Sequence, residues 1–284
     1  MRRVGILAHP RRPESQAVME EVARTVEARG LSAWTDTSGL IQPDSLKESD
    51  FVVVIGGDGA ILRAARLCAP FQVPVFGLNI GYLGFLTEAQ PPQWEESLNR
   101  ILAGHYWIES RLMITGSVWK NGECILHEDA LNDVVVGRGA IANATRLDAY
   151  INDEWATSYN ADGVIIATAT GSTAYALAAG GPILPPELDN ILLVPVAPHF
   201  SMERPVILAQ GATVKIVVSP QNEWDTVVTI DGQTVVELNG GDSVEVRASE
   251  KRSHFIRLQG RNYFFRSLMD RMEPRFLPKH PPGR

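Results

Sequence analysis

Residues 51–59 read FVVVIGGDG, an unbroken apolar run that stops at a glycine-rich turn. A run of β-branched and aromatic residues suits a strand buried on both faces. Residues 60–67, AILRAARL, follow with good helix formers and with the arginines on one side. Strand, glycine turn and helix in that order belong to an open α/β sheet, where ligands bind at the carboxyl ends of strands. Gly56, Gly57 and Gly59 let backbone come close to a phosphate, and a helix start offers free N–H groups. Asp58 is the odd member of the turn. A carboxylate beside phosphates is repelled unless it holds a metal or takes a proton from an attacking hydroxyl. A lone GGDG is equally a tight turn with a solvated aspartate, so the rest of the chain has to decide.

Around this stretch, residues 4–8 and 31–34 read as strands, 14–29 as a helix and 73–78 as a further buried strand, with a helix near 94–102. Strands alternating with helices predict a parallel-sheet α/β domain over 1–104. From about Gly104 the texture changes. Short apolar runs separated by turns such as Lys120-Asn121-Gly122-Glu123 predict a second, mostly antiparallel β domain over 105–261. Residues 243–247 and 254–258 read as two separate strands of it. One helix interrupts it near Ser172. A last helix over 262–273 carries Phe264, Phe265, Leu268 and Met272 and is expected to pack back on another element. The tail from Pro274 is expected to be loose.

With 284 residues, 45% hydrophobic and 21% charged, the chain suits two domains of a soluble protein. No apolar stretch approaches the roughly 20 residues that span a bilayer, and the first 15 residues do not read as a signal peptide. Cys68 and Cys124, far apart, argue against a disulfide framework and a cysteine zinc site. A cytoplasmic enzyme is the default. The net charge of −7 argues against non-specific nucleic-acid binding but not against an anionic small ligand.

Four further stretches carry chemistry. Residues 77–86, GLNIGYLGFL, form a second glycine-rich strand exit. Asn132-Asp133 precede a strand and suit either a ribose diol clamp or an Asx turn. Residues 160–175, NADGVIIATATGSTAY, lead from a carboxylate through an apolar strand into hydroxyls at a helix start, with N-capping by Ser172 or Thr173 as the plain alternative. Asp231-Gly232-Gln233 is a hairpin turn signal that can present Gln233 to a ligand. His199 reads as structural, His127-Glu128-Asp129 as solvated surface, and Arg66 as an exposed helix residue.

Taken together, GGDG at 56–59, GLNIGYLGFL at 77–86, LND at 131–133, ADG and TATGSTAY within 161–175, AAGGPI at 178–183, APH at 197–199 and DGQ at 231–233 resemble the NAD kinase family, in an order that spans residues 4–272. The resemblance implies transfer of the γ-phosphate of ATP to the 2′-hydroxyl of the adenosine ribose of NAD, giving NADP, with a divalent metal such as Mg²⁺ arriving on ATP. By motif match, Asp58 is the proton acceptor, Asn132 and Asp133 contact the ribose, and Asp162 with Thr173, Ala174, Tyr175, Ala176, Leu177 and Ala178 line the adenine and ribose pocket. Gly59, Arg63, Asn160, Ala197 and Gln233 match further nucleotide-contacting positions, and Gly56 and Gly57 the phosphate loop. The family fold joins an α/β domain to a β domain, and its members form dimers or tetramers in which a neighbour often completes the pocket.

Four departures stand out against the family pattern. Ala60 stands for a threonine, Ala169 for a proline, Asn160 for a basic residue and Ala178 for a serine. A diacylglycerol-type lipid kinase sharing GGDG and a non-catalytic NAD(P)-binding regulator are the competing readings. Polyphosphate as donor, and NADH as acceptor, are left open by the sequence.

Overall fold

The computed structural model describes residues 1–39, 41–80, 84–141, 143–265 and 268. The first lobe is built on β1 (Arg3–Ala8), β2 (Ser32–Asp36), β3 (Phe51–Ile55) and β4 (Val75–Leu78), all parallel, in the order β2-β1-β3-β4. Every residue of β3 is buried, because helices cover both faces of the sheet. On one face α1 (Pro13–Ala28) packs Met19, Val22 and Val26, and α4 (Trp94–Leu102) packs Leu98 and Ile101, against Val53, Ile55 and Phe76. On the other, α3 (Asp58–Cys68) buries Ile61, Leu62, Ala65 and Cys68 against Val52, Val54 and Val75, with Leu46 of the short α2 (Pro43–Lys47) beside them. The polar residues 43–47 thus form one helical turn.

The second lobe is antiparallel. β5 (Trp107–Lys120) and β6 (Glu123–Ala130) form a hairpin, and β7 (Asp133–Arg138), β8 (Thr145–Ile151), β9 (Glu154–Ala161), β10 (Gly163–Thr168), β11 (Ile191–Val196), β12 (Val206–Leu208), β13 (Val214–Val218), β14 (Thr226–Ile230) and β15 (Thr234–Leu238) follow. Of these, β7, β10, β11, β12, β14 and β15 make a separate sheet in the order β12-β11-β10-β7-β14-β15. Its inner face packs Val134, Val164, Ile166 and Leu193 against Ile114, Leu147, Ile216 and Val246 of the other sheet. The α/β and mostly antiparallel parts expected from the sequence are both present.

The two strands expected at 243–247 and 254–258 are one long strand, β16 (Ser243–Arg257), whose register against β5 shifts between Ala248 and Arg252. The polar residues 249–252 at that bulge interrupt the apolar pattern and read as a loop. β16 also pairs in parallel with β4, through Phe255 and Val75, so the first lobe's sheet runs on without a break into the second. The expected helix after 261 is described only in part. Tyr263 and Phe264 are buried and Phe265 is exposed, so these neighbours do not share one face, and Met272 and the tail from Pro274 lie outside the described residues.

Candidate active site

α3 starts at Asp58 with Gly57 as its N-cap and with no side chain capping it, so its first N–H groups face outward from the glycine turn. The Asp58 carboxylate is half-buried. Its Oδ2 accepts a hydrogen bond from Phe85 N–H at 2.7 Å and its Oδ1 one from Leu86 N–H at 3.0 Å. This explains the second glycine-rich stretch: a Cβ on Gly84 would stand 2.0 Å from Asp58 Oδ1. Residues 81–83 of that stretch lie outside the described residues. The held carboxylate keeps further lone pairs for an incoming hydroxyl.

Two routes tie Asp58 to the second lobe. In the first, Arg257 Nη1 donates to Leu86 O at 3.2 Å and to Glu88 at 3.1 Å, and Arg257 Nε donates to Glu109 at 2.8 Å. Arg111 also bonds Glu109, and reaches Thr170 Oγ1 at 3.4 Å and Tyr263 Oη at 2.9 Å. These groups are buried, Arg257 completely. Burial pushes the Glu109 carboxyl up, but the guanidinium groups of Arg111 and Arg257 outweigh it and hold it at about 2.

The second route corrects the reading of Arg66 as an exposed helix residue. Its guanidinium lies 3.2 Å from Glu128 and 3.6 Å from Asp231. Glu128, read as solvated surface, also accepts from Thr234 at 2.8 Å. Its neighbour Asp129 is tied to Thr115, Ser249 and Lys251, and His127 to Ser117. Asp231 is the residue that sequence reasoning missed. Its carboxylate accepts from the N–H groups of Leu131, Asn132 and Asp133 at 2.9, 2.8 and 3.1 Å, which fixes the LND segment. The one signal for it was the turn at 231–233, which places Asp231 in a left-handed conformation, φ 49°.

Asn132-Asp133 in turn meet the GST turn. A Cβ on Gly171 would stand 2.1 Å from Asn132 O, and Thr168 donates its N–H to Asn132 O at 2.9 Å and its hydroxyl to Leu131 O at 2.5 Å. The helix expected near Ser172 is only a 3₁₀ turn, Gly171–Thr173, followed by the one-turn α5 (Tyr175–Ala178). Neither Ser172 nor Thr173 caps it. Ser172 Oγ donates to Ala169 O at 2.7 Å, and Thr173 Oγ1 to Thr170 O at 3.2 Å. Ser172 is therefore structural, while half-buried Thr173 and exposed Tyr175 and Ala178 face outward at this end of the sheet, as does exposed Gln233. Asp133 is buried beside Asp231. Burial first, and the Asp231 charge second, push its carboxyl up to about 7. Asp231 itself is pushed up by burial and drawn down by its three N–H donors and Arg66.

Three expected site residues lie elsewhere. Asn160, Asp162 and Ala197 gather at the start of β10, where Asp162 N–H bonds Val196 O and Asn160 O accepts from His199 N–H. Asp162 pairs with Arg138 at 3.3 Å. Gly171 and Asn132 sit at the other end of that strand, roughly 20 Å away for its length. One chain therefore does not bring the two groups together. Arg63 is exposed on α3 and lines a cleft beside the glycine turn. No group of three or more His, Cys, Asp or Glu side chains that could hold a metal occurs among the described residues. Among the described residues no helix is long and apolar enough to cross a membrane.

Comparison with known proteins matches residues 34–106 to the ATP-NAD kinase N-terminal domain and residues 131–258 to the ATP-NAD kinase C-terminal domain. The chain is 41% identical over 240 residues to an NAD kinase of Thermoanaerobacter sp. (strain X514), covering 84% of both. It is 37% identical over 273 residues to that of Geobacter sulfurreducens, covering 93% of this chain and 96% of that one. Its fold is similar to yeast NADH kinase complexed with NADH, with a TM-score of 0.85, 23% identity, and 99% and 90% of the two chains covered. It is also similar to an NAD kinase from Archaeoglobus fulgidus in complex with ATP, with a TM-score of 0.77, 24% identity, and 95% and 98% covered.

Proposed function

The chain belongs to the NAD kinase family, so its reaction is transfer of the γ-phosphate of ATP to the 2′-hydroxyl of the adenosine ribose of NAD, giving NADP, and we propose that Asp58 accepts the proton of that hydroxyl. Relatives of this identity leave the lipid-kinase and regulator readings without support. The observation that carries the role of Asp58 is its fixed carboxylate at the glycine turn, oriented by two backbone N–H groups. Removing the proton as the bond to phosphorus forms contributes about 10²–10⁴-fold. Positioning supplies much of the rest. Asn132 and Asp133 hold the ribose, Gly56, Gly57 and Gly59 receive phosphate, and Thr173, Ala174, Tyr175, Ala176, Leu177 and Ala178 border the nucleotide, with Arg63 and Gln233 at its edges.

Asp58 is engaged by two backbone N–H groups and Asp231 by three, so both carboxylates are already occupied by the protein. Mg²⁺ fits here as an ion that takes its ligands from the donor's phosphates and from water. When bound it neutralises phosphate charge. Asn160, Asp162 and Ala197 serve the pocket of a neighbouring chain, in a homodimer or homotetramer, because their own chain holds them at the far end of β10. The enzyme is cytoplasmic, with lobes dividing near residue 104, and the span 105–261 supplies most of the NAD contacts.

Asp58→Asn keeps the shape and removes the base. NADP formation should fall by at least about 100-fold with NAD affinity nearly intact. Unaltered turnover in that variant would reject the role.

A further inference from the structure

Four charged side chains, Glu88, Glu109, Arg111 and Arg257, are buried where the two lobes meet. Two guanidinium groups face two carboxylates, so the cluster is neutral. A buried ion pair adds little stability over apolar side chains of the same size. What it does add is direction, because a planar guanidinium fork fixes where its partners lie. Here the directions lead to the site. Arg257, at the end of β16, grips three groups at once: Glu109 through Nε at 2.8 Å, and Glu88 and Leu86 O through Nη1 at 3.1 and 3.2 Å. The rings of Phe255 and Tyr263 hold it further, with their centroids 5.2 and 4.9 Å from its central carbon. Leu86 is also the residue whose N–H bonds Asp58 Oδ1. It is therefore held at its N–H by Asp58 and at its carbonyl by Arg257. Two residues on, Glu88 accepts from Leu258 and Gln259 N–H at 2.7 and 2.9 Å. Glu109 passes the connection to Arg111, whose Nη1 reaches Thr170 in the turn that carries Thr173.

We propose that Arg257 is a positioning residue for phosphoryl transfer. Through Leu86 it aims the Asp58 carboxylate, and through Glu109 and Arg111 it keys that carboxylate to the turn at 170–173. The inference rests on Asp58 accepting the hydroxyl proton, and adds what aims it. A reacting group displaced by about 1 Å loses up to about 100-fold in rate. The hydrogen bonds of Arg257 go to Leu86, Glu88 and Glu109, none of them a nucleotide position. Its loss therefore acts on turnover and leaves nucleotide binding largely in place.

Arg257→Lys keeps a positive charge between the two carboxylates but offers one point in place of a fork. Turnover should fall by about tenfold or more, with KM for NAD and for ATP within about twofold. In an Asp58→Asn background the same substitution should leave the residual rate within about twofold, since no carboxylate remains to be aimed. Hydrogen exchange at the amides of Phe85 and Leu86 should quicken while that of β3 stays slow. Leu98→Ala, buried on the other face of the sheet, should lower the unfolding temperature and keep native turnover at room temperature, which separates aim from stability. If Arg257→Lys does not fold, Glu109→Gln carries the same comparison, because it keeps the shape and loosens the guanidinium from its other side. Native turnover in the variant overturns the proposal. So does an equal loss in the native and Asp58→Asn backgrounds, which would assign Arg257 to stability alone. If Asp58→Asn by itself turns over at the native rate, the proton-acceptor reading falls and the aiming role falls with it, a result distinct from equal losses.

Discussion

Gly84 lies directly against the Asp58 carboxylate, at a place where a Cβ would stand 2.0 Å from Oδ1 and 2.6 Å from Oδ2. The close approach is what allows the next two N–H groups, of Phe85 and Leu86, to reach both carboxylate oxygens. The Asp58 carboxylate is therefore oriented by backbone that is itself free of side chain at the point of contact.

Gly84→Ala should consequently turn the carboxylate away. Turnover should fall by about 100-fold or more while KM for NAD moves little, because only alignment at the reacting atom is lost. Steady-state kinetics with NAD and ATP read this directly. A variant as active as the native protein would show that the carboxylate is not held where it reacts.

The buried Arg257–Glu109 pair predicts acid sensitivity. Glu109 titrates at about 2 in the folded chain against an ordinary 4.5, so its contribution to stability is complete above about 4.5 and is lost as pH falls through about 2. The shift corresponds to about 3 kcal/mol. Arg257→Met leaves Glu88 and Glu109 buried without their shared partner and should cost about 3–5 kcal/mol at neutral pH. Urea unfolding at several pH values checks both, and a native-like midpoint in the variant would contradict the pairing.

Asp133 predicts the opposite sign. Its folded-state carboxyl is raised to about 7 from 3.8, so the stability it gives is fully present below about 3.8 and declines as pH rises through about 7. Asp133→Asn should therefore be more stable than the native chain at pH 8 and no more stable at pH 4. The same substitution should raise KM for NAD at pH 8, since the ribose loses a charged acceptor. Thermal unfolding across this range, with parallel kinetics, tests both outcomes.

The separation of Asp162 from Asn132 along β10 predicts complementation between chains. Asp58→Asn and Asp162→Ala variants, each impaired alone, should recover activity when their subunits are mixed and exchanged. One pocket of the hybrid then has both native groups. Hybrids that form by mass yet stay inactive would argue that each chain builds its pocket unaided.

Much of the architecture is legible in the chain because its signals are local. The apolar run at 51–55 and the glycine turn after it fall in β3 and at the start of α3. β9, EWATSYNA, escaped notice because most of its residues are exposed and little apolar periodicity survives. Arg66 was misread because its partners, Glu128 and Asp231, come from other parts of the chain, and a helix viewed alone shows only an outward-facing arginine. Asp231 was read as a turn residue, and a turn it is. That its carboxylate also gathers three N–H groups from another strand's start is a tertiary fact without a local pattern.

β16 has a consequence for how the molecule is made. It brings Phe255 into the packing under α3 and Ile256 into the packing under α1 and α4, and it covers the edge of β4. A nascent chain that has emerged only through β4 therefore holds an unfinished lobe, with an open strand edge and gaps on both faces. The lobe that carries the glycine turn is completed only once residues 243–257 have been made, so a product broken off before them keeps the motif and lacks the body that gives it shape.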